Sequence, residues 1–371
     1  MADSHRILLL TTGGTIAGRV SKLAYGGSVL PNTAGLESLL GPTVAHLNAR
    51  LAVDISVDTL AVADIDSSNA TPALWCDLVT SIGENYDEFD AFVITHGTNT
   101  LGYTCAALSF ALLNPSKPIV LTGSQVPAGI PGSDAQLNLE NALRIATWNR
   151  QRSHPPIRGV VAVFGSQILP GTRVKKNSEF AYDAFQSFAS NSIGRIGRIV
   201  DIDETSLVRH NSYLSTHRYP LAFRRAELLC EPEFDMRIAS LTAFPGMSAE
   251  VLESVLASDV RALVLRAYGA GDVSDTLFEP FRLLKARKVP VVVTTQAPNG
   301  RSTFQANDAG FRLAQEGLAI PAYDMSIEAM TTKLGWLLSK MVRGDLSYSQ
   351  LCDQMMADLR GEIHARWEVE I

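Results

Sequence analysis

The sequence predicts an α/β fold of two domains: a larger N-terminal domain built on a parallel sheet, and a smaller C-terminal α/β domain. Three observations predict it. Short apolar runs rich in β-branched residues recur along the chain, and each ends in small polar residues. Segments of helix length, apolar at helical spacing, separate these runs. Between about residues 200 and 232 the chain turns polar and loses its period. Continuous apolar runs of this length read as strands buried on both faces, as in parallel sheets. Strand–helix alternation implies βαβ units whose ligands gather at the carboxyl ends of the strands.

The elements follow in order. The run Ile7 to Leu10 enters Thr11-Thr12-Gly13-Gly14-Thr15. Thr71 suits a helix cap, with Pro72 at the first helical position and the helix running to Ile82. Ala91 to Ile94 leads into Thr95-His96-Gly97-Thr98-Asn99-Thr100, then a helix from Thr100 to Leu113 that stops before Pro115. Pro118 to Leu121 leads into Thr122-Gly123-Ser124-Gln125, and a helix follows from Asn138 to Trp148. Val160 to Phe164 leads into Gly165-Ser166-Gln167. His210 to Pro220 is polar and unpatterned. Beyond it lie a helix from Ser248 to Ala257, runs at Ala262–Leu265 and Val291–Val293, and a helix from Ser326 to Met341. These readings divide the chain into a catalytic domain 1–205, a link 206–233 and a C-terminal domain 234–371.

At ~150 residues per domain, 371 residues suffice for about two and a half domains. With 46% hydrophobic and 19% charged residues the chain is globular rather than disordered. The net charge of −6, with no basic cluster, makes it a poor partner for phosphate backbones or anionic lipid. Neither nucleic-acid binding as a main role nor a membrane partner is therefore expected. Cys76, Cys105, Cys230 and Cys352 lie far apart without a CxxC, which fits a reducing compartment rather than a disulfide framework or thiolate zinc site. The first apolar run is too short for a leader's core and ends in a turn. No stretch reaches the ~18 apolar residues of a membrane helix. A soluble, cytoplasmic protein is the expectation.

The glycines after the first run are spaced GGxxxG, not GxGxxG, and no P-loop Lys-Ser/Thr pair accompanies them. Either they form a tight turn, or they let the backbone approach a substrate while Thr15 presents its hydroxyl; spacing leaves both open. Thr98 lies near a helix N-terminus, whose free N–H groups favour developing negative charge. Asn99 and Thr100 equally suit a plain cap. His96 reads as a core hydrogen-bonding residue rather than a metal ligand. Asp66-Ser67-Ser68-Asn69 is a turn or a pocket of small donors, and Lys176 is a solvated charge unless it finds a partner. Neither HExxH nor GxSxG occurs, which removes the common zinc-hydrolase and α/β-hydrolase signatures.

Taken together, these segments resemble the bacterial-type L-asparaginases, whose motifs are TGGTIAG and HGTDT. The resemblance covers TTGGTIAG with Tyr25 ten residues past Thr15, DSSNATPALW, FVITHGTNTLGYTCAALSF, KPIVLTGSQVP, SDAQLNLENAL and Arg173 to Phe185. It continues through FPGMSAEV, LRAYGAG and EAMTTKL. The Thr15–Tyr25 spacing and the double serine resemble the cytoplasmic type I branch. Membership implies hydrolysis of the side-chain amide of asparagine to aspartate and ammonia, with no cofactor and no metal. It implies Thr15 as nucleophile with Tyr25 as its hydrogen-bonding partner, and Thr98 with Lys176 as a second cluster. The resemblance further implies that Ser67 and Ser68 hold the substrate's α-carboxylate. The expected partner is a small amide, and the expected assembly is a homodimer or homotetramer with sites completed by a neighbouring subunit.

Two positions depart from the pattern. HGTDT is HGTNT here, so Asn99 replaces the aspartate that binds the substrate's α-ammonium. Where relatives often carry GVGN, this chain has Gly269-Ala270-Gly271-Asp272. One expectation is a relocated charge, with Asp272 of one subunit restoring the carboxylate lost at Asn99 of another. A second is a shifted substrate, an amide whose α-amine is absent or substituted, such as succinamate. A non-catalytic amino-acid sensor and the asparaginase-like subunit of a glutamyl-tRNA amidotransferase are the remaining alternatives.

Overall fold

In a computed structural model the chain forms two compact units, Met1–Pro232 and Glu233–Ile371. The residues described are 4–17, 19–20, 29–30, 34–51, 53–150, 154–214 and 227–364.

Besides four two-residue strands, the described strands of the first unit are β1 (His5–Gly13), β2 (Ile55–Ile65), β3 (Ala91–Thr95), β4 (Pro118–Thr122), β5 (Gly159–Phe164), β6 (Gln167–Pro170), β7 (Val174–Lys176), β8 (Phe185–Ser187), β9 (Gly194–Ile196) and β10 (Val200–Ile202). Eight of them form one sheet in the order β10-β9-β6-β5-β4-β3-β1-β2, and β7 pairs with β8 in a separate hairpin. From β2 to β5 the neighbours are parallel. The strands β6, β9 and β10 add an antiparallel margin, so the sheet is mixed. The parallel strands β3, β4 and β5 are buried at every residue, as continuous apolar runs require.

Helices α1 (Ala34–Leu51), α2 (Pro72–Glu84), α3 (Leu101–Ala111), α4 (Ala135–Ala146) and α5 (Glu204–Leu214) complete the unit. Helix α2 starts with proline at its first turn, after Thr71, as expected. Helix α3 ends two residues early because Leu112 and Leu113 pair with Leu229 and Cys230 in a short antiparallel ladder. Helix α4 starts three residues early, at Ala135. The unpatterned stretch at His210 begins inside α5, which buries Leu207, His210 and Leu214.

This strand order positions the site. The chain leaves β1 to form β2 on one side and returns to form β3 on the other, so the winding reverses at β1. A parallel sheet opens a crevice at such a reversal, at the carboxyl ends of its strands. Leu10 stands beside Ile94 and Thr11 beside Thr95, so the turns after β1 and β3 emerge level with each other.

In the second unit, β11 (Ile238–Thr242), β12 (Ala262–Ala267), β13 (Val291–Thr295) and β14 (Ile320–Pro321) form a four-stranded parallel sheet in chain order. Helices α6 (Ala249–Leu256), α7 (Phe278–Ala286), α8 (Asp308–Gln315), α9 (Ile327–Arg343) and α10 (Tyr348–Met356) accompany it. Its core gathers Leu263, Leu265, Val293, Phe278 and Phe281. Lys333 on α9 is fully buried against the equally buried Glu362, with Nζ 2.5 Å from Oε1.

Candidate active site

Three turns meet at the reversal, and glycines allow the approach. Gly13 and Gly14 have φ of 87° and 78°. A Cβ on Gly14 would lie 2.5 Å from the backbone nitrogen of Gly97, and one on Gly97 would lie 2.5 Å from Ser67 Oγ. The turns after β1 and β3 therefore pack backbone to backbone, and the Gly97 backbone in turn packs against the Ser67 side chain. Thr12 Oγ1 donates to Thr95 O at 2.9 Å, and Gly14 N donates to Ile65 O at 3.0 Å. Thr15, the next residue, opens a short 3-10 turn and is half-buried, while Ile16 beside it is wholly buried.

Hydrogen bonds join the polar residues. Asp66 accepts from Ser68 N at 2.8 Å, which fixes the serine turn. Thr100 Oγ1 donates to Ser67 O at 2.8 Å. Asn99 Nδ2 donates to Ser68 Oγ at 3.0 Å. Lys176 Nζ donates to Thr98 Oγ1 and to Asn99 Oδ1, each at 3.0 Å. Ser67, Ser68, Thr98, Asn99 and Lys176 thus form one connected cluster, and Gly14, the residue before Thr15, packs against the Gly97 backbone of the turn that carries Thr98. Tyr25 lies outside the described residues. Asp272 belongs to the second unit, in a tight turn closed by two hydrogen bonds between the Tyr268 and Asp272 backbones. Its Oδ2 accepts from Asn307 Nδ2 at 2.5 Å.

Three supporting features escaped the sequence reading. The first is a relay beneath the Thr98 turn: Trp75 Nε1 donates to Thr104 Oγ1 at 3.1 Å, and that hydroxyl lies 2.9 Å from His96 Nε2. With Nδ1 facing Gly97 O at 2.8 Å, His96 fits the neutral tautomer protonated at Nδ1. Complete burial pushes its pKa down from 6.5 to about 4, and the Gly97 carbonyl offsets this only partly. His96 is structural, as its sequence context suggested.

The second is a loop between β7 and β8. Ser178 Oγ accepts from the backbone of Phe180 and Ala181, and Gln125 Nε2 donates to the carbonyls of Glu179 and Ala181. Tyr182 OH donates to Gly132 O, and Asp183 accepts from Ser166 N and Oγ. The third is Glu179 itself, whose Oε2 lies 2.8 Å from Lys176 Nζ. Glu179 follows Lys176 by three residues, but the loop fold that brings it back is written in distant partners such as Gln125, so spacing gave no warning.

Comparison with known proteins bears on this arrangement. The model described as Asparaginase, N-terminal matches residues 6–207, and that described as Glutaminase/Asparaginase C-terminal domain matches residues 237–345. An L-asparaginase of Thermococcus kodakarensis is 36% identical over 341 residues, covering 90% of this chain and 92% of the relative. The crystal structure of L-asparaginase I from Vibrio cholerae superposes with a TM-score of 0.80 at 30% identity, over 98% of this chain and all of that one. A longer protein of Thermofilum pendens, one of the subunits of a glutamyl-tRNA(Gln) amidotransferase, is 32% identical over 90% of this chain but 71% of its own length.

Proposed function

This chain belongs to the asparaginase family, and from that membership we infer that it hydrolyses the side-chain amide of L-asparagine to L-aspartate and ammonia. The observation that carries the reading is the Lys176–Thr98 hydrogen bond, 3.0 Å across 78 residues of sequence, at the carboxyl end of the strand beside the one that presents Thr15.

The site residues take the following roles in this proposal. An amide carbonyl is a poor electrophile, so the reaction is divided through an acyl-enzyme. The Thr15 hydroxyl oxygen bonds to the carboxamide carbon and loses its proton, with Tyr25 as its partner. The tetrahedral intermediate expels the amide nitrogen as ammonia once that nitrogen is protonated. Water then adds to the ester and regenerates the Thr15 hydroxyl. Lys176, donating to Thr98 Oγ1, lowers the electrostatic cost of removing the Thr98 proton, and Thr98 in turn activates the water. Each well-placed donor to the developing oxyanion supplies about 3 kcal/mol. Ser67 and Ser68 hold the substrate's α-carboxylate. Ser68 Oγ already accepts from Asn99, so its own O–H is available to donate to that carboxylate.

Position 99 bears on the α-amine. A neutral amide cannot replace a carboxylate, since charge-assisted hydrogen bonds are about twice as strong as neutral ones. Asp272 of a neighbouring subunit restoring that charge is part of the proposal, as are a homodimer or homotetramer and a cytoplasmic setting, which the four free cysteines suit. Among the described residues no helix is long and apolar enough to cross a membrane. The alternative that Asn99 itself favours is an amide without the α-amine.

Ammonia release from asparagine, glutamine and succinamate tests both. The wild type releases ammonia from asparagine and Thr15→Ala releases none above background. Asp272→Asn raises KM for asparagine but not for succinamate. An untouched asparagine rate in Asp272→Asn rules out the relocated charge, and a wild-type preference for succinamate establishes the other substrate. Ligand binding without turnover identifies a sensor.

A further inference from the structure

The cluster around Lys176 holds a cation, and its charge needs an answer. With asparagine at position 99, two of the three partners of the ammonium, Thr98 Oγ1 and Asn99 Oδ1, are neutral oxygens. The third is Glu179 Oε2 at 2.8 Å, the only carboxylate within salt-bridge distance of Lys176 among the described residues. Three donors on the ammonium meet three acceptors, and the set is complete. Building on the amidase reading above, we propose that Glu179 is a positioning residue of this site: its carboxylate holds Lys176 as a cation against Thr98, taking over the charge that position 99 does not carry.

The geometry favours this over an incidental surface pair. Exposed ion pairs contribute little to folding, because two long side chains must be ordered in water. Glu179 is exposed, with 71% of its side chain accessible, but Lys176 is not, at 17%. The carboxylate thus lies over a lysine that already faces inward. The backbone beneath Glu179 is fixed beforehand by Ser178 Oγ and Gln125 Nε2, so only the side chain's own torsions remain to be ordered. A frame this complete around an exposed carboxylate is accounted for by what the carboxylate touches. Lys176 without it would face Thr98 with no counter-charge, and its ammonium would be free to turn toward solvent or a bound anion.

The substitution Glu179→Gln tests the assignment, since it keeps the shape and removes the charge. Steady-state ammonia release is measured on asparagine and on succinamate, alongside wild type and Thr15→Ala. The expected result is a fall in kcat of about 10- to 100-fold on both amides with KM little changed, the range that a lost hydrogen bond to a charged group supports. Introducing Asn99→Asp into the Glu179→Gln protein restores the carboxylate from the other side and recovers most of kcat. Rates for Glu179→Gln within about twofold of wild type, well short of what a lost charged contact costs, overturn the proposal. A loss confined to asparagine and expressed in KM also overturns it, because Glu179 then contacts the amine rather than acting through Lys176. A loss on both amides that Asn99→Asp leaves uncorrected overturns it as well. An inactive wild type removes the amidase reading beneath it and this assignment with it; an active wild type with Thr15→Ala silent leaves Glu179 alone on trial.

Discussion

Single residues set the approach of the catalytic turns. Gly14 combines a φ of 78° with a backbone neighbour 2.5 Å from where a Cβ would stand. Alanine there faces both an unfavourable conformation, costing about 1–3 kcal/mol, and a clash that pushes the Thr15 and Thr98 turns apart. Displacing catalytic groups by about 1 Å costs on the order of 100-fold, so Gly14→Ala is expected to lose at least that in kcat/KM while lowering the melting temperature. His96 sets a second expectation. Its pKa falls from 6.5 to about 4 on burial, so the unfolded chain binds the extra proton between those values and the folded protein loses stability as pH falls. The loss at His96 amounts to about 3 kcal/mol by pH 4. Burial lowers the pKa of His5 and His210 in the same direction. Melting temperature against pH is expected to drop below 6.5, and the drop is smaller in His96→Gln, whose starting stability is lower. Thr15 and Thr98 stood out because each follows a recognisable apolar run, whereas Ser67, Ser68 and Lys176 drew attention only through the family resemblance. Glu179 and the Trp75–Thr104 relay were not legible, because their partners are remote in sequence or lie in an irregular loop.

At the scale of elements, the sequence disclosed what was buried on both sides. Strands β3, β4 and β5 declare themselves as unbroken apolar runs. Strand β2 does not: it is an edge, and its Asp58, Thr59 and Asp64 face partly to solvent. Helix α1 was hidden by Pro42 in its interior, where proline removes a backbone donor. Thr43 Oγ1 donates to Leu39 O one turn back, which helps the turn persist. In the second unit, Lys333 joins three pieces of chain: its Nζ donates to the carbonyls of Met355 and Ala357 and pairs with Glu362. Burial pushes the Glu362 carboxyl up, but the lysine charge and the amides of Leu359 and Arg360 outweigh it and hold it below its ordinary value. Removing one partner of such a pair leaves a bare buried charge and costs about 3–5 kcal/mol. Denaturant unfolding of Lys333→Met is expected to show that loss, and Lys333→Met combined with Glu362→Leu to recover much of it.

For the molecule as a whole, the charge balance bears on nucleic-acid binding. A net charge of −6 without a basic cluster gives few counterions to release from a phosphate backbone. Gel retardation with tRNA at about 0.15 M salt, where long-range surface attraction is screened, is expected to show no complex, while a shifted band would revive the amidotransferase reading. The two units were legible as two strand–helix blocks, each with its own core. Their internal strand order was not, since pairing between distant strands leaves no local mark.

The loop that carries Glu179 is held almost entirely through its backbone and through Ser178, Tyr182 and Asp183, while Phe180 projects 94% exposed. Positions 179 and 180 are therefore free to vary without disturbing the frame that displays them. A library randomised at those two positions alone is expected to return folded proteins whose turnover falls on all amides together wherever position 179 loses its carboxylate. The same freedom gives natural variation a way to retune the chemistry without rebuilding the scaffold.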